Sequence, residues 1–286
     1  MKISVIDGYT ENPGDLSWDG LRALGDVVIY DHSTKDEAEI IRRVGDAEIV
    51  VANKSPISRR VLDACQNVKY ITVQATGYDP INYVYAREKG IPVSNVPTYG
   101  TASVAQFAIA LLLEICGHAA HHSDAVHAGR WAECGEWTFW DYPMIELAGK
   151  TMGIIGFGRI GKLLAHRLRG LGAEVTVSAR RLDDLAWIDA FGYRGLRTNR
   201  LAGRLGSFRI VFNTVPNMVL TEELLRDLPR ECVLLELASQ PGFDRAAAEA
   251  RGLKCIAAPG LPGRAAPETA ARAIKLTLEK IWEEEA

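Results

Sequence analysis

A glycine turn leaves this chain few folds to choose from. Met152-Gly153-Ile154-Ile155, a short β-rich run, leads into Gly156-Phe157-Gly158-Arg159-Ile160-Gly161, with the spacing G-x-G-x-x-G. Ile160, Leu164, Leu168 and Leu171 then recur at i, i+4, i+8 and i+11, and Gly172 ends the pattern before another β-rich run starts at Glu174. Strand, glycine turn and helix in this order open a nucleotide-binding βαβ unit. The glycines have separate tasks: Gly156 takes the tight turn, Gly158 lets a pyrophosphate approach the backbone, and Gly161 lets helix and strand pack closely. Free N–H groups at the helix start favour phosphate oxygens. Gly156, Phe157, Gly158, Arg159, Ile160 and Gly161 are therefore the expected cofactor contacts. The first half of the chain has no equivalent, because Ile6-Asp7-Gly8-Tyr9 lacks the second and third glycines.

Around that turn, β-rich runs alternate with helical patterns. The first half has runs at 3–6, 27–30, 48–51, 69–73 and 92–94; the second has them at 152–155, 174–178, 209–213, 232–236 and 254–257. Residues 37–44 and 58–65 read as helices between them. Alternation of this kind builds parallel sheets with helices on both faces. Five runs in each half of 286 residues, at about 150 residues per domain, predict an α/β fold. The expectation is two doubly wound, Rossmann-like domains with a cofactor cleft between them. Two long helices are expected as well. One spans about 101–118, with Val104, Phe107, Ala108, Leu111, Leu112 and Ile115 on a broad buried stripe. The other follows Pro267 and carries Ile274, Leu278, Ile281 and Trp282.

Charge and composition remove several classes. Lys+Arg 33 against Asp+Glu 36 leaves a net charge of −3, without the basic excess of a nucleic-acid or membrane-surface binder. The longest apolar stretch, 104–116, contains Gln106 and Glu114 and falls short of the roughly 20 residues of a membrane span. The five cysteines, Cys65, Cys116, Cys134, Cys232 and Cys255, are odd in number and lack ligand spacing, so reduced thiols and a cytoplasmic setting are expected. His118, His121 and His122 with Glu114 have helical spacing, but no metal is expected there. Between the halves, Trp131, Trp137, Phe139, Trp140 and Tyr142 crowd into 129–144. Aromatics are enriched in interface cores, so this arm is expected to join two copies in a homodimer.

The end of the second strand of a dinucleotide domain usually selects the cofactor. NAD calls for an acid there, but this chain reads Ser178-Ala179-Arg180-Arg181. A serine hydroxyl and two guanidinium forks suit a 2′-phosphate. NADP is thus favoured over NAD, with Ser178, Arg180 and Arg181 as contacts; Asp183 and Asp184 are the neighbours that would otherwise neutralise the arginines.

Several further stretches carry a family resemblance. Asp7-Gly8-Tyr9-Thr10, Asn53-Lys54-Ser55-Pro56-Ile57, Gln74-Ala75-Thr76-Gly77-Tyr78-Asp79, Gly90-Ile91-Pro92-Val93-Ser94-Asn95 and Leu147-Ala148-Gly149-Lys150-Thr151 resemble D-2-hydroxyacid dehydrogenases of the glycerate or hydroxypyruvate reductase branch over about 1–160. That resemblance implies a flavodoxin-like substrate domain over 1–98, completed by a C-terminal helix over 268–286, and a dinucleotide domain over 99–267. It implies that backbone N–H groups at Thr76 and Gly77 receive a substrate carboxylate. After the glycine turn, Asn213-Thr214-Val215-Pro216, Glu236-Leu237-Ala238-Ser239-Gln240-Pro241-Gly242 and Ala258-Pro259-Gly260-Leu261-Pro262-Gly263-Arg264 resemble the A subunit of dipicolinate synthase. On that resemblance Asn213, Thr214, Val215, Pro216, Leu237 and Ala238 line the cofactor. The chain reads as a mosaic of two related families.

The resemblance breaks at the chemistry. Dehydrogenases of this family hold the substrate carboxylate with an Arg and move a proton with a Glu-paired His, whose pKa near 7 suits the task. Ser239 or Gln240 stands at the position of the Arg, Gly260 stands at that of the His, and no histidine follows His166. The remaining candidates for catalysis are Lys54, Gln240 and Arg264, with Asn53 beside Lys54 as a further substrate contact. The expected activity is that of an NAD(P)-dependent oxidoreductase acting on or binding a small carboxylate, with weak or absent hydroxyacid turnover. The alternatives are a nucleotide-binding chimera or scaffold without efficient catalysis, and a dipicolinate-synthase-like enzyme.

Overall fold

The computed structural model describes residues 1–12, 14 and 16–260. They divide into two compact units, the division falling between Gly100 and Thr101. Each unit is built on its own parallel sheet.

The first unit holds β1 (Lys2–Val5), β2 (Asp26–Ile29), β3 (Ile49–Ala52), β4 (Tyr70–Val73) and β5 (Val93–Asn95), in the order β2-β1-β3-β4-β5. This is a doubly wound order whose direction of winding switches between β1 and β3. Successive strand side chains point to opposite faces. Val50 and Ala52 accordingly join one core with Ile6, Ile40, Leu62 and Ile71, whereas Ile3, Val5 and Val51 join the other. The Glu37–Val44 helix forms where its pattern predicts. The Asp36 side chain accepts from the Ala38 N–H at 3.0 Å, and Ile40 and Val44 are buried. A second helix, Arg59–Ala64, starts from Ser58, whose side chain accepts from the Val61 N–H.

The second unit holds β6 (Thr151–Ile155), β7 (Glu174–Ala179), β8 (Arg194–Arg197), β9 (Ile210–Asn213), β10 (Val233–Glu236) and β11 (Lys254–Ala257). Their order is β11-β10-β9-β6-β7-β8, all parallel. Here the winding switches between β6 and β9. Met152, Ile154, Val177 and Phe212 face one core, and Ile155, Val211 and Leu234 face the other.

Two expectations need correction. The second sheet has six strands rather than five. The additional one, β8, reads Arg-Gly-Leu-Arg, and of its residues only Leu196 is buried. A sheet-edge strand with one apolar side chain leaves no hydrophobic pattern to detect. In the long helix, Thr101–Gly117, the buried residues are Val104, Ala105, Ala108, Leu112, Ile115 and Cys116. Phe107 is instead exposed, as is Leu113 on the same helix. The buried stripe keeps Val104, Ala108, Leu112 and Ile115, with Leu111 partly buried against the same core, and adds the small side chains of Ala105 and Cys116 in place of Phe107.

All five cysteines are free thiols. Burial pushes the Cys232 thiol up to about 12. Among the described residues, no single helix is long and apolar enough to cross a membrane. Pro267 and the expected helix over 268–286 lie outside the described residues, as does Arg264.

Candidate functional site

The glycine turn leaves the C-terminal end of β6 and opens the Arg159–Gly170 helix, with Gly158 as its N-cap. Its three glycines are distinguishable by geometry. Gly156 has φ +103, and a Cβ there would meet the side chains of Val215 at 2.6 Å and Thr214 at 2.7 Å. A Cβ on Gly161 would run into the Gly156 carbonyl oxygen. A Cβ on Gly158 would meet nothing within 4 Å. Two glycines are thus required by the fold itself, while the third keeps open space beside free helix N–H groups. A dinucleotide phosphate fits that space. Phe157 is buried in the core and touches Phe191, so it anchors the turn rather than lining an opening. Gly172 follows the helix with φ +80, as its place in the sequence requires.

At the end of β7 the expected 2′-phosphate contacts divide. Ser178 is buried and its hydroxyl has no hydrogen-bond partner. This corrects the expectation of an open serine hydroxyl: as the strand's next-to-last residue, Ser178 points into the packed face. Arg180 and Arg181 are exposed. Arg181 pairs with Asp183 at 3.1 Å, both side chains mostly in solvent. No described acid pairs with Arg180.

The ends of β9 and β10 are tied by a buried polar knot. Asn213 Nδ2 donates to Glu236 Oε1 at 2.6 Å and to the Val215 carbonyl at 2.8 Å. Glu236 also accepts from the N–H groups of Ala238 at 3.0 Å and Gly242 at 2.8 Å. Burial pushes the Glu236 carboxyl above the usual carboxylate range, and these donors pull it only part of the way back. The Thr214 hydroxyl donates to the Ile155 carbonyl at 2.8 Å. The side chains of Asn213 and Thr214 are therefore spent on shaping the loops, and the N–H groups of Val215, Leu237 and Ala238 are likewise taken, by Asn213 Oδ1, the Asn213 carbonyl and Glu236. A Cβ on Gly242 would collide with the Asn213 amide, so the knot also requires that glycine.

The first unit has a counterpart at its own switch point. Asp7, fully buried at the end of β1, accepts from the N–H groups of Asn53 at 2.8 Å, Lys54 at 2.9 Å and Ser55 at 3.0 Å. The Ser55 hydroxyl adds a bond at 2.6 Å. Burial acts to raise the Asp7 carboxyl, but the Ser55 hydroxyl and the Asn53 and Ser55 N–H groups outweigh it and hold the carboxyl low. The carboxylate thereby fixes the loop after β3 and leaves the Lys54 side chain exposed. The Asn53 side chain turns back to donate to the Thr10 hydroxyl at 3.0 Å, so it does not extend outward with Lys54. After β4, Thr76 and Gly77 are exposed, and neither backbone N–H donates to a described residue. The Thr76 hydroxyl and carbonyl bond to Val96 and Asn95, which hold the loop in place. Glu11 is a residue that no sequence signal marked. Both its carboxylate oxygens are buried without a hydrogen bond; burial, with Asp7 nearby, pushes it well above the usual range.

At the positions where the dehydrogenase resemblance would place an Arg and a His, Ser239 and Gln240 are exposed after β10, and Gly260 has φ +69. That left-handed backbone suits glycine and disfavours histidine. The histidines read as one helical face have structural partners. His121 lies 2.6 Å from Asp141, His122 bonds the His118 carbonyl, and His118 stacks on Tyr142.

Two doubly wound parallel sheets, each with polar loops gathered at its switch point, define a Rossmann-like α/β protein. The chain belongs to the D-isomer specific 2-hydroxyacid dehydrogenase family, whose catalytic-domain description matches residues 10–281. Members of this family are NAD(P)-linked oxidoreductases. The chain is 56% identical over 176 residues to a hydroxypyruvate reductase of Blautia hydrogenotrophica, covering 61% of this chain and 55% of that protein. It is 36% identical over 137 residues to the A subunit of dipicolinate synthase from Bacillus subtilis, covering 48% of this chain and 46% of that protein. The chain thus spans about half the length of the curated relatives it matches, and both resemblances read from its motifs find a relative. Among solved structures, an acyclic imino acid reductase in complex with NADPH and D-Arg shares the fold, with a TM-score of 0.77 at 19% identity over 99% of this chain and 98% of that one.

Proposed function

We propose that the second unit binds NADP and that the chain acts on a small carboxylate received by the first. The observation that carries this reading is the open space at Gly158 between two glycines the fold requires. A dinucleotide held there supplies or accepts hydride. Gly156 and Gly161 shape the seat for its phosphates, and Arg180 offers an unpaired guanidinium to a 2′-phosphate. The free N–H groups of Thr76 and Gly77 donate to the substrate carboxylate, with Lys54 as a nearby cation. The D-Arg held with NADPH by the imino acid reductase is a carboxylate of this general kind.

Calorimetry tests the cofactor reading. Gly158→Val abolishes binding while leaving the circular dichroism spectrum intact, because nothing surrounds the added side chain. Arg180→Ala weakens NADP by at least about tenfold, as losing one charge-assisted hydrogen bond implies, and affects NAD much less. Tighter NAD than NADP binding to the unaltered chain overturns the preference.

Gly260 and the exposed pair Ser239–Gln240 favour a second reading, dinucleotide binding with little turnover. Without a positioned acid a rate falls by roughly 10²–10⁴. Glyoxylate, pyruvate and hydroxypyruvate are then reduced slowly or not at all with NADH or NADPH between pH 6 and 8. A turnover of about 10 s⁻¹, ordinary for enzymes, would remove this reading and turn attention to Lys54, Gln240 and Arg264. A dipicolinate-synthase-like reaction is the remaining alternative.

The arm over 129–144 supports a homodimer. Its inner side is tied down: Trp131 Nε1 donates to the Trp137 carbonyl at 3.0 Å, and Arg130 lies over Phe139. Trp137 and Trp140 are nonetheless 83% and 72% exposed. Large apolar rings left in water on an anchored arm fit a second copy of the chain. A cytoplasmic setting agrees with five free thiols.

A further inference from the structure

The unexpected strand β8 carries an unassigned feature on its outer side. A cavity of about 290 Å³ is lined by Leu185 and Asp189 from the Leu182–Ala190 helix, by Gly195, Leu196 and Arg197 of β8, and by Arg200 and Arg204 just beyond it. The volume lies at the small end of ligand pockets. None of the residues of the glycine turn or of the Arg180–Arg181 pair contributes to it. Gly195 lets the helix pack closely on β8 at the floor of this cavity, because a Cβ there would meet Leu185 at 3.3 Å and Ile188 at 3.5 Å.

The three arginines of this cavity have no acidic partner among the described residues, although other surface arginines of this chain do, such as Arg226 with Glu222 and Arg245 with Glu249. The Nε of Arg197 is buried and makes no hydrogen bond. A buried guanidinium N–H without an acceptor is costly, and natural structures seldom leave one so. Asp189, the one acid in the lining, compensates one of the three charges. Two positive charges remain, matching a phosphoryl dianion rather than a single carboxylate, and guanidinium forks bind phosphoryl oxygens in paired fashion.

We infer that this cavity is an anion site for a phosphoryl group, held by Arg197, Arg200 and Arg204. Register gives that group two possible sources. Arg197 pairs with Ala179, the residue before Arg180, so the site adjoins the strand end that faces a 2′-phosphate. The lining itself includes neither Arg180 nor Arg181, so a separate phosphorylated small molecule is the other source. The inference does not depend on the cofactor reading.

Inorganic phosphate is the probe, titrated by calorimetry into the full chain and into variants. Arg200→Gln with Arg204→Gln removes two exposed side chains and leaves the fold intact by circular dichroism. It weakens the pocket's phosphate binding by at least about tenfold. Arg197→Gln does the same, and Arg197→Lys, which keeps charge but loses the fork, recovers only part. Saturating NADPH then identifies the source: unchanged phosphate affinity assigns a separate small molecule, and lost affinity assigns the 2′-phosphate. Equal phosphate binding by the unaltered chain and the Arg200/Arg204 double variant, or no binding at millimolar phosphate, overturns the site, whatever NADPH does at the glycine turn.

Discussion

The two units use the same device with opposite electrostatic outcomes. In each, a buried carboxylate at a strand end gathers the N–H groups of a neighbouring loop: Asp7 after β1, and Glu236 at the end of β10. Asp7 receives three backbone N–H groups and a hydroxyl, and its carboxyl is held low. Glu236 receives two backbone N–H groups and one amide, and its carboxyl is pushed up. Desolvation is present at both sites, so the number and kind of donors decide which way each group moves. The loop behind Asp7 is fixed by a full charge. The loops behind Glu236 are fixed by a group that holds its charge less firmly.

Removing each carboxylate should separate the two cases. Asp7→Ala leaves three backbone donors unsatisfied, each costing about 1–3 kcal/mol. A loss of about 3 kcal/mol or more is expected in urea unfolding at neutral pH. Because the folded Asp7 pKa is depressed, its contribution is present above the unfolded value of about 3.9 and disappears as pH falls. The deficit of Asp7→Ala therefore narrows in acid. Glu236→Gln is the milder change, about 1–2 kcal/mol, since the amide keeps one acceptor and turns its NH₂ against one donor. Here the folded pKa is raised, so the native contribution is full below about pH 4.3 and declines as pH rises. The deficit of Glu236→Gln narrows in base. Deficits that vary in the same sense would show that the two carboxylates do not differ.

The smallest effect belongs to Glu11. Its unpartnered, buried carboxyl retains a proton to higher pH than in the unfolded chain, so it drains stability as pH rises above about 4.3. Glu11→Gln replaces the protonated acid with a neutral group of equal size. It is expected to raise the unfolding midpoint at pH 7 and leave it unchanged at pH 4. An unaltered profile would mean that the folded chain does not hold Glu11 protonated.

The glycine turn was legible in the sequence because its requirements are local. A positive φ at Gly156, a collision at Gly161 and open space at Gly158 all arise within six residues. The alternation of strands and helices was legible for the same reason, save at β8, where Arg194, Gly195 and Arg197 hide the single apolar residue. The residues that hold the loops were not legible. Asp7 meets its donors 46 to 48 positions away, and Glu236 meets Asn213 23 positions away. Nothing adjacent to either acid announces such a partner. Ser178 misled for a related reason: its place at a strand end was readable, but which face it occupies depends on the packed sheet.

The thiols make this chain its own unfolding clock. Cys232 is fully buried, with its proton held to about pH 12, so a thiol reagent reaches a reactive thiolate only when the second sheet opens around β10. Cys134, in the aromatic arm, is half-exposed and lies outside both sheets. Alkylation at Cys134 before Cys232 would time the arm's accessibility against the opening of β10, giving two local stabilities from one untagged protein.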